Sequence, residues 1–580
     1  ATALTSTGDG CCTGTVTASP SRSPPMVAVN ASAAAPGAAP VSSNHTGTAA
    51  PLASATVWVA PPARTRCGSA VEVPVAVPAG ALPGAELVIS VDPDGLAGVE
   101  DGLRELVGYP YGCLEQTTSK MIPMVAVREL ADAIDLVGLT GGDLDGFVTA
   151  GIAKIGRHQT ADGGFSLWPG GSSEAYYTAY ALWGLHLAKQ AGFRVDATRI
   201  ADGLAYLADA GKAPATSDPY YDLHGDLGAQ AFALYVRAVL GDPDTAAVTA
   251  LVARGDAVPV FGRAFLARAL AAGLSPRDPA VVKLVDELAA LATQAGADAL
   301  IKDRYDDDLD YYMAGALRTS AAVLAALVEL APKHAAVPAL VRSIMRGRRS
   351  EPYLDTQENL YSLVALTSYA RTTAGAPPSV AIEVGGAPVW TGSLAGRQRV
   401  KTVTVPVPAG GGAVRIVPRG EVHYQVAVRY RREVAALTGQ ARGGLTLARA
   451  YFDEQGRPKT QFQVGDVVRV RLTAEVGATA PHLMIADALP AGFEALNTRF
   501  ATVGAIAGAA RDDWGTFREL HDDRVDFASL YTERGQVVHE YAMRATTAGT
   551  FVRPPAVAEL MYDPDTSAQT AADTLVIEAR

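Results

Sequence analysis

The sequence predicts a multidomain chain of mixed α and β class: an α/α toroid set inside a β segment, followed by a β-sandwich. Three observations predict it. Residues 68–92, GSAVEVPVAVPAGALPGAELVISVD, alternate apolar and polar positions between Pro/Gly turns, which is the period of half-buried strands. From about 98 to 375 the period becomes helical, with long runs that end near Gly, Asp or Pro. At 378 the strand pattern returns and continues to the end of the chain.

The elements follow in order. Residues 1–64 are rich in Ala, Ser, Thr, Pro and Gly, and up to residue 63 only Asp9 and Arg22 are charged. That composition buries little and reads as a low-complexity leader without stable structure. The segment 65–97 reads as two or three strands. Residues 98–375 carry the helices, for example SEAYYTAYALWGLHLAKQAG from Ser173, DLGAQAFALYVRAVLGD from Asp226 and TSAAVLAALVELAP from Thr319. Further helices are expected at 119–137, 144–157, 197–209, 260–272, 278–296, 335–346 and 356–372. Ala-rich stripes permit close packing, and about six antiparallel pairs in one domain favour a closed toroid. Strands return over 376–434 in SVAIEVGG, KTVTVPVPAG, GAVRIVPRG and HYQVAVRYRRE. This order makes the toroid an insertion in a β domain whose halves are 65–97 and 376–434. Residues 436–580 then form a second sandwich, with short strands at roughly ten-residue spacing.

Composition narrows the function. The chain has 580 residues and a formal charge of −11, and the charge is spread rather than blocked. With no basic stripe, nucleic acid is not an expected partner. No apolar run approaches the length of a membrane-spanning helix. Cys11, Cys12, Cys67 and Cys113 form neither a CxxC pair nor a Cys/His cluster, so no metal site, disulfide framework or cofactor is expected. The chain starts at Ala1 without a basic-then-apolar leader, which reads as a processed or partial sequence.

One stretch carries chemistry: VGYPYGCLEQTTSK, Val107 to Lys120. Cys113 and Gln116 are three residues apart, so on a forming helix their side chains are neighbours. A Cys sulfur that attacks the Gln side-chain carbonyl expels ammonia and closes an internal thioester through Leu114 and Glu115. A helix N-terminus is expected to favour the thiolate and polarise the carbonyl. Pro110 and Gly112 suit a tight entry into that helix. The bond would be a stored electrophile that survives only if dry, a task for which Tyr109 and Tyr111 are candidates.

YPYGCLEQT resembles the thioester motif of bacterial alpha-2-macroglobulins, relatives of animal alpha-2-macroglobulin and the complement thioester proteins. The animal version is GCGEQ, and Leu114 stands in place of its central Gly. HQTADGGFSLWPGG (His158 to Gly171) resembles the family's DGGF segment, and YLDTQENLYSLVAL (Tyr353 to Leu366) its TQE segment. ALPAGFEALNT and AELMYDP resemble the last domain of the bacterial members. The resemblance covers about 70–580. It implies a thioester-bearing α/α toroid inserted in a CUB-like β-sandwich, followed by a macroglobulin-type sandwich. It also implies that Tyr109, Tyr111, Met561 and Tyr562 shield the bond.

The activity implied is covalent trapping. A protease cuts a bait region, the shield parts, and a lysine amine of the protease attacks the thioester. The implied partners are therefore target proteases, in the periplasm or at the cell surface, and the chain is read as an inhibitor rather than an enzyme. The bait region and its preceding macroglobulin domains do not lie within these residues. Complement-type members pass the acyl group through a histidine. His224, in YYDLHGDLG, is the candidate here, although lone histidines are usually structural. Two other readings compete with this one. HQTADGGFSLW resembles a repeat of terpene cyclases, but YDDDLDYY (Tyr305 to Tyr312) lacks their acidic order. A non-covalent cell-surface interaction module leaves Cys113 and Gln116 unexplained.

Overall fold

In the computed structural model the described residues are 16–17, 52–65, 70–93, 112–128, 141–210, 227–294, 300–303, 315–350, 355–372, 377–395, 399–433, 437–497 and 516–580. They fall into two compact units divided near residue 429/430, with 52–55 and 80–83 joining the second.

The first unit holds eleven α-helices among its described residues: α1 (Leu114–Arg128), α2 (Gly141–Ile155), α3 (Ala175–Gln190), α4 (Ala197–Ala210), α5 (Leu227–Val239), α6 (Thr245–Val252), α7 (Val260–Gly273), α8 (Pro279–Gln294), α9 (Ala316–Leu330), α10 (Ala336–Ser350) and α11 (Thr356–Thr372). Helix α1 starts five residues before the expected 119, and the short α6 was not among the expected helices. The odd-numbered helices pack in succession, α1 on α3, α3 on α5, α5 on α7, α7 on α9 and α9 on α11. Helix α11 packs back on α1 and closes the ring. Even-numbered helices lean on the outside of their odd neighbours.

Composition explains which helices go inside. Inner α3, AYYTAYALWGLHLAKQ, is apolar or small on every face and buries Tyr176 through Leu185 without a break. Outer α4 buries only Ile200, Gly203 and Leu207, the single stripe expected of a helix with one wet face. Close approach at the ring needs small residues. A Cβ on Gly184 of α3 would meet the Thr118 methyl of α1 at 2.7 Å. The centre is filled by Tyr176, Tyr180, Trp183, Phe232, Phe265 and Tyr361, whose rings meet at edge-to-face, tilted or offset angles.

The β part of this unit is built from both sides of the helical block. Strand Glu86–Asp92 precedes it and pairs antiparallel with Lys401–Pro406 and Val422–Glu433, which follow it. Strand Val71–Val75 likewise pairs with Gly412–Arg419, which in turn pairs with Ser379–Val384. The block therefore sits in a single connection of a two-sheet β domain. Strand Leu52–Thr65 joins the sheet of Val422–Glu433, Glu86–Asp92 and Lys401–Pro406. It corrects the reading of 1–64 as unstructured throughout. The run TVWVA has β-branched and aromatic residues that favour extended backbone, and averaging over a polar leader concealed them.

The second unit is all β. A six-stranded sheet centres on Ala480–Ala488 and Arg524–Thr532, and a four-stranded sheet on Val467–Val476 and Gly535–Ala545. Val468, Val470, Leu472 and Ala474 alternate inward and share one core with Leu483, Ile485, Phe493 and Met543. Among the described residues of this unit, Arg449 and Asp487 form a buried ion pair. Arg449 also donates to the Pro554 carbonyl at 2.7 Å, and the Tyr541 hydroxyl donates to Asp487 at 2.8 Å.

Candidate functional site

Cys113 stands immediately before the first residue of α1, the position of a helix N-cap. Its sulfur accepts the Gln116 backbone N–H at 3.4 Å, and its own N–H donates to Gln116 Oε1 at 3.3 Å. This is the reciprocal pattern of a capping box, with sulfur in the place of a Ser or Thr oxygen. The spacing of three is thus the one at which an N-cap side chain and its helix partner face each other. The capping exchange brings the Cys113 sulfur and the Gln116 side-chain carbonyl into one turn.

One further orphan donor of this turn is placed, and the regular helix bonds begin at Thr117. Leu114 N–H donates to the Leu167 carbonyl at 2.9 Å, and Thr117 N–H to the Cys113 carbonyl at 2.9 Å. Leu167 belongs to the 158–171 loop, whose shape is set locally. Asp162 accepts from Gly164 N–H at 3.0 Å and from Ser173 Oγ at 2.8 Å, and Phe165 N–H is held by Thr178 of α3 at 2.8 Å. Gly163 has φ +89°, and a Cβ there would meet the Asp202 carbonyl at 2.7 Å, so only Gly fits.

His158 opens this loop, buried, with Nδ1 3.2 Å from the Ser166 carbonyl. A carbonyl only accepts, so Nδ1 carries the proton. Burial lowers the imidazole pKa to about 4, against a raising effect from the Ser166 and Leu167 backbone. Between about 4 and 6.5 the unfolded chain holds more protons at this position than the folded one, so stability rises with pH across that window. Lowering the pH from 7 to 4 is expected to cost the ring up to about 3 kcal/mol through this group. Urea unfolding at both values checks it, and H158Q should remove most of the difference.

Cys113 and Gln116 are fully buried. Burial, reinforced by the Glu115 charge, pushes the Cys113 thiol well above its ordinary range, although the Gln116 and Glu115 backbone N–H groups pull the other way. The expectation of a thiolate favoured by the helix N-terminus is therefore corrected, because desolvation of the sulfur outweighs the backbone donors. Gln116 Nε2 is buried and finds no hydrogen-bond partner among the described residues.

Glu115, read from sequence only as a spacer, points into the ring and is fully buried. Its carboxylate accepts from Thr356 Oγ1 at 2.8 and 2.9 Å, from Gln357 Nε2 at 2.7 Å, and from Ser119 Oγ. Gln357 Nε2 also donates to the Tyr180 oxygen at 2.8 Å, and Tyr180 lies 2.7 Å from Ser119 Oγ. Tyr176 donates to Gln357 Oε1 at 3.1 Å and accepts from Arg318 at 2.9 Å. The TQE resemblance marked this region without assigning it a task. A cation in the otherwise uncharged run ALRTSAAVL was the signal for Arg318.

Of the sequence candidates, Cys113 and Gln116 are together in the first unit. In the second unit, Met561 and Tyr562 follow strand Ala556–Leu560. Met561 is buried and its N–H donates to the His482 carbonyl at 3.1 Å, while the Tyr562 ring meets His482 edge-on at 5.0 Å. Tyr109, Tyr111 and His224 lie outside the described residues. Among the described residues no group of three or more side chains could hold a metal ion, and no helix is long and apolar enough to cross a membrane.

Comparison with known proteins agrees with this architecture. The family described as "Bacterial Alpha-2-macroglobulin MG10 domain" matches residues 444–565, and "A-macroglobulin TED domain" matches 89–216. Alpha-2-macroglobulin of Escherichia coli (strain K12) is 28% identical over 512 residues, covering 82% of this chain and 29% of its own length. An alpha-2-macroglobulin homolog of Nostoc is 25% identical over 450 residues, covering 74% and 23%. The chain thus spans less than a third of either relative. Among solved structures, native E. coli alpha-2-macroglobulin from domain MG7 to the C-terminus superposes with TM-score 0.74 at 22% identity, over 91% of this chain and 82% of that one. Salmonella alpha-2-macroglobulin reacted with methylamine gives TM-score 0.73 at 22% identity, over 91% and 34%. Those two likenesses speak to the fold, an α/α toroid with β-sandwiches. Both domain matches in chain order, beside relatives that cover most of the sequence, support the bacterial alpha-2-macroglobulin family, with the A-macroglobulin TED match falling on the first part of the helical ring.

Proposed function

We propose that Cys113 and Gln116 close an internal thioester and that the chain is the thioester-bearing part of a covalent protease inhibitor. The observation that carries this reading is the reciprocal, fully buried exchange between the two residues, in which each side chain accepts the other's backbone N–H, at 3.3 and 3.4 Å. In forming the bond, the Cys113 sulfur joins the Gln116 side-chain carbon, the C–N bond breaks, and Nε2 leaves as ammonia with the thiol proton. Closure removes two costs of the open form, a buried amide NH₂ without a partner and a thiol that burial keeps from ionising. An amine that reaches the closed bond adds to the Gln116 carbonyl as an amide and frees the Cys113 thiol.

The target under this reading is a lysine amine of a protease, and the place of action is the periplasm or the cell surface. The methylamine reaction of the Salmonella relative is the matching small-amine chemistry. Residues 65–97 with 376–434 act as a CUB-like domain, 98–375 as the thioester domain, and 436–580 as the closing macroglobulin-like sandwich. Tyr109, Tyr111, Met561 and Tyr562 keep water from the bond, and His224 is the position for an acyl-transfer histidine.

Intact mass is the test. The native chain is expected about 17 Da lighter than its summed residues through loss of ammonia. Methylamine should add at Gln116 and release one thiol at Cys113, and C113A should do neither. A native chain with full mass, a titratable Cys113 and no methylamine uptake would sink the reading.

A further inference from the structure

We infer that Arg318 is a positioning residue for the Cys113–Gln116 bond, acting across the centre of the ring through Tyr176 and Gln357 on the carboxylate of Glu115. The inference rests on the thioester reading above and adds to it a set of groups far from the motif in sequence.

Arg318 and Glu115 are both buried, on α9 and α1. A buried charge needs hydrogen-bonded partners. The groups between them leave little freedom in where each proton sits. Arg318 can only donate, so the Tyr176 oxygen accepts at 2.9 Å and the Tyr176 hydroxyl proton turns to Gln357 Oε1 at 3.1 Å. The amide must then face the other way with its NH₂, and both protons are used, one on Glu115 at 2.7 Å and one on the Tyr180 oxygen at 2.8 Å. The Tyr180 proton accordingly goes to Ser119, whose own proton goes to Glu115. Every donor from the guanidinium onward points toward the carboxylate. Hydrogen bonds aligned in one sense polarise one another in a dry interior. Gln357 serves as the junction because an amide passes polarisation from its oxygen to its nitrogen.

Two further observations fit a fixed cation. The Arg318 guanidinium lies 3.8 Å from the centre of the Phe261 ring, which holds its plane. Asp355 is another carboxyl near Arg318, but its Oδ1 caps α11 by accepting the Glu358 N–H at 2.7 Å. Glu115 is the residue between Leu114 and Gln116, so whatever fixes its carboxylate fixes the arc that the thioester closes. Arg318 thereby bears on the bond without touching it.

The test uses the full chain. R318M and Y176F are each expected to lower the closed fraction, read as the mass deficit of about 17 Da, by about threefold or more. R318K, which keeps the charge and a donor, should recover most of that loss. The same substitutions are made in the E115Q background, and unfolding midpoints are measured for the whole cycle. If Arg318 acts through the Glu115 charge, the drop in midpoint caused by R318M or Y176F shrinks to less than about half in that background. Equal drops in both backgrounds, or a closed fraction unmoved by Y176F, would overturn the inference. Y176F removes one oxygen and decides the matter if R318M does not fold. A wild-type chain without the mass deficit would instead overturn the thioester reading, and the midpoint cycle alone then decides the coupling.

Discussion

E115L is expected to lower the unfolding free energy of the helical ring by about 3–5 kcal/mol, the range found when one partner of a buried charged network is removed. The reason is what the substitution leaves behind. Thr356, Gln357 and Ser119 all donate to the carboxylate, and leucine returns nothing to them. Each buried donor left without a partner costs roughly 1–3 kcal/mol, and partial rearrangement keeps the total below their sum. For a domain of this size the melting midpoint should fall by roughly 6–15 °C. E115Q keeps the shape but presents an NH₂ to neighbours that are themselves donors, so it should recover only part of the loss. Urea unfolding followed by far-UV circular dichroism measures both variants. A change below about 1 kcal/mol for E115L would show that the network is not under the tension the geometry implies.

R449M should cost the last β unit a similar amount, about 3–5 kcal/mol, because it leaves Asp487 buried without its cation. Tyr541 still donates to Asp487, but one neutral hydrogen bond does not replace a guanidinium and its second contact to the Pro554 carbonyl. Changing both partners separates lost pairing from lost packing: R449M with D487L should be more stable than R449M alone, since no charge then remains inside. Differential scanning calorimetry of the three chains reads the order directly. The same midpoint for R449M and wild type would mean that water reaches Asp487.

The two features most visible in sequence were local ones. The Cys113–Gln116 spacing is a helix-cap spacing, and helix caps are made by residues three apart, so the pair could be read without any knowledge of the fold. The inner helices were visible for the same reason, since a run such as SEAYYTAYALWGLHLAKQAG from Ser173 has almost no polar face. Helix α6 was harder, being eight residues long with Thr and Val at half its positions between Asp-Pro and Gly breakers. The start of α1 was set late because Leu114–Gln116 owe their helical geometry to the Leu167 carbonyl and to the Cys113 sulfur. Neither partner has a periodic signature. The partners of Glu115 were not legible at all: Thr356 and Gln357 are 241 and 242 residues away, and only ring closure makes them neighbours. The chemical state of Cys113 went the same way, because depth of burial is a property of the finished ring.

That ring has a seam, and the seam lies at the chemistry. Helix α1 carries Glu115 and Gln116 with Cys113 as its N-cap, and α11, the last helix of the described ring, carries two of the side chains that hold Glu115. A nascent chain that has just made residue 116 has neither the dry pocket nor the donors, and it waits for some 240 more residues before it can have them. Contacts of such sequence separation form late, because the loop between them must first be ordered. Under the proposed thioester reading, the bond is therefore not set before its container is complete. Order of assembly acts as the safety catch, since an exposed half-built ring presents only an ordinary cysteine and an ordinary glutamine to the other chains around it.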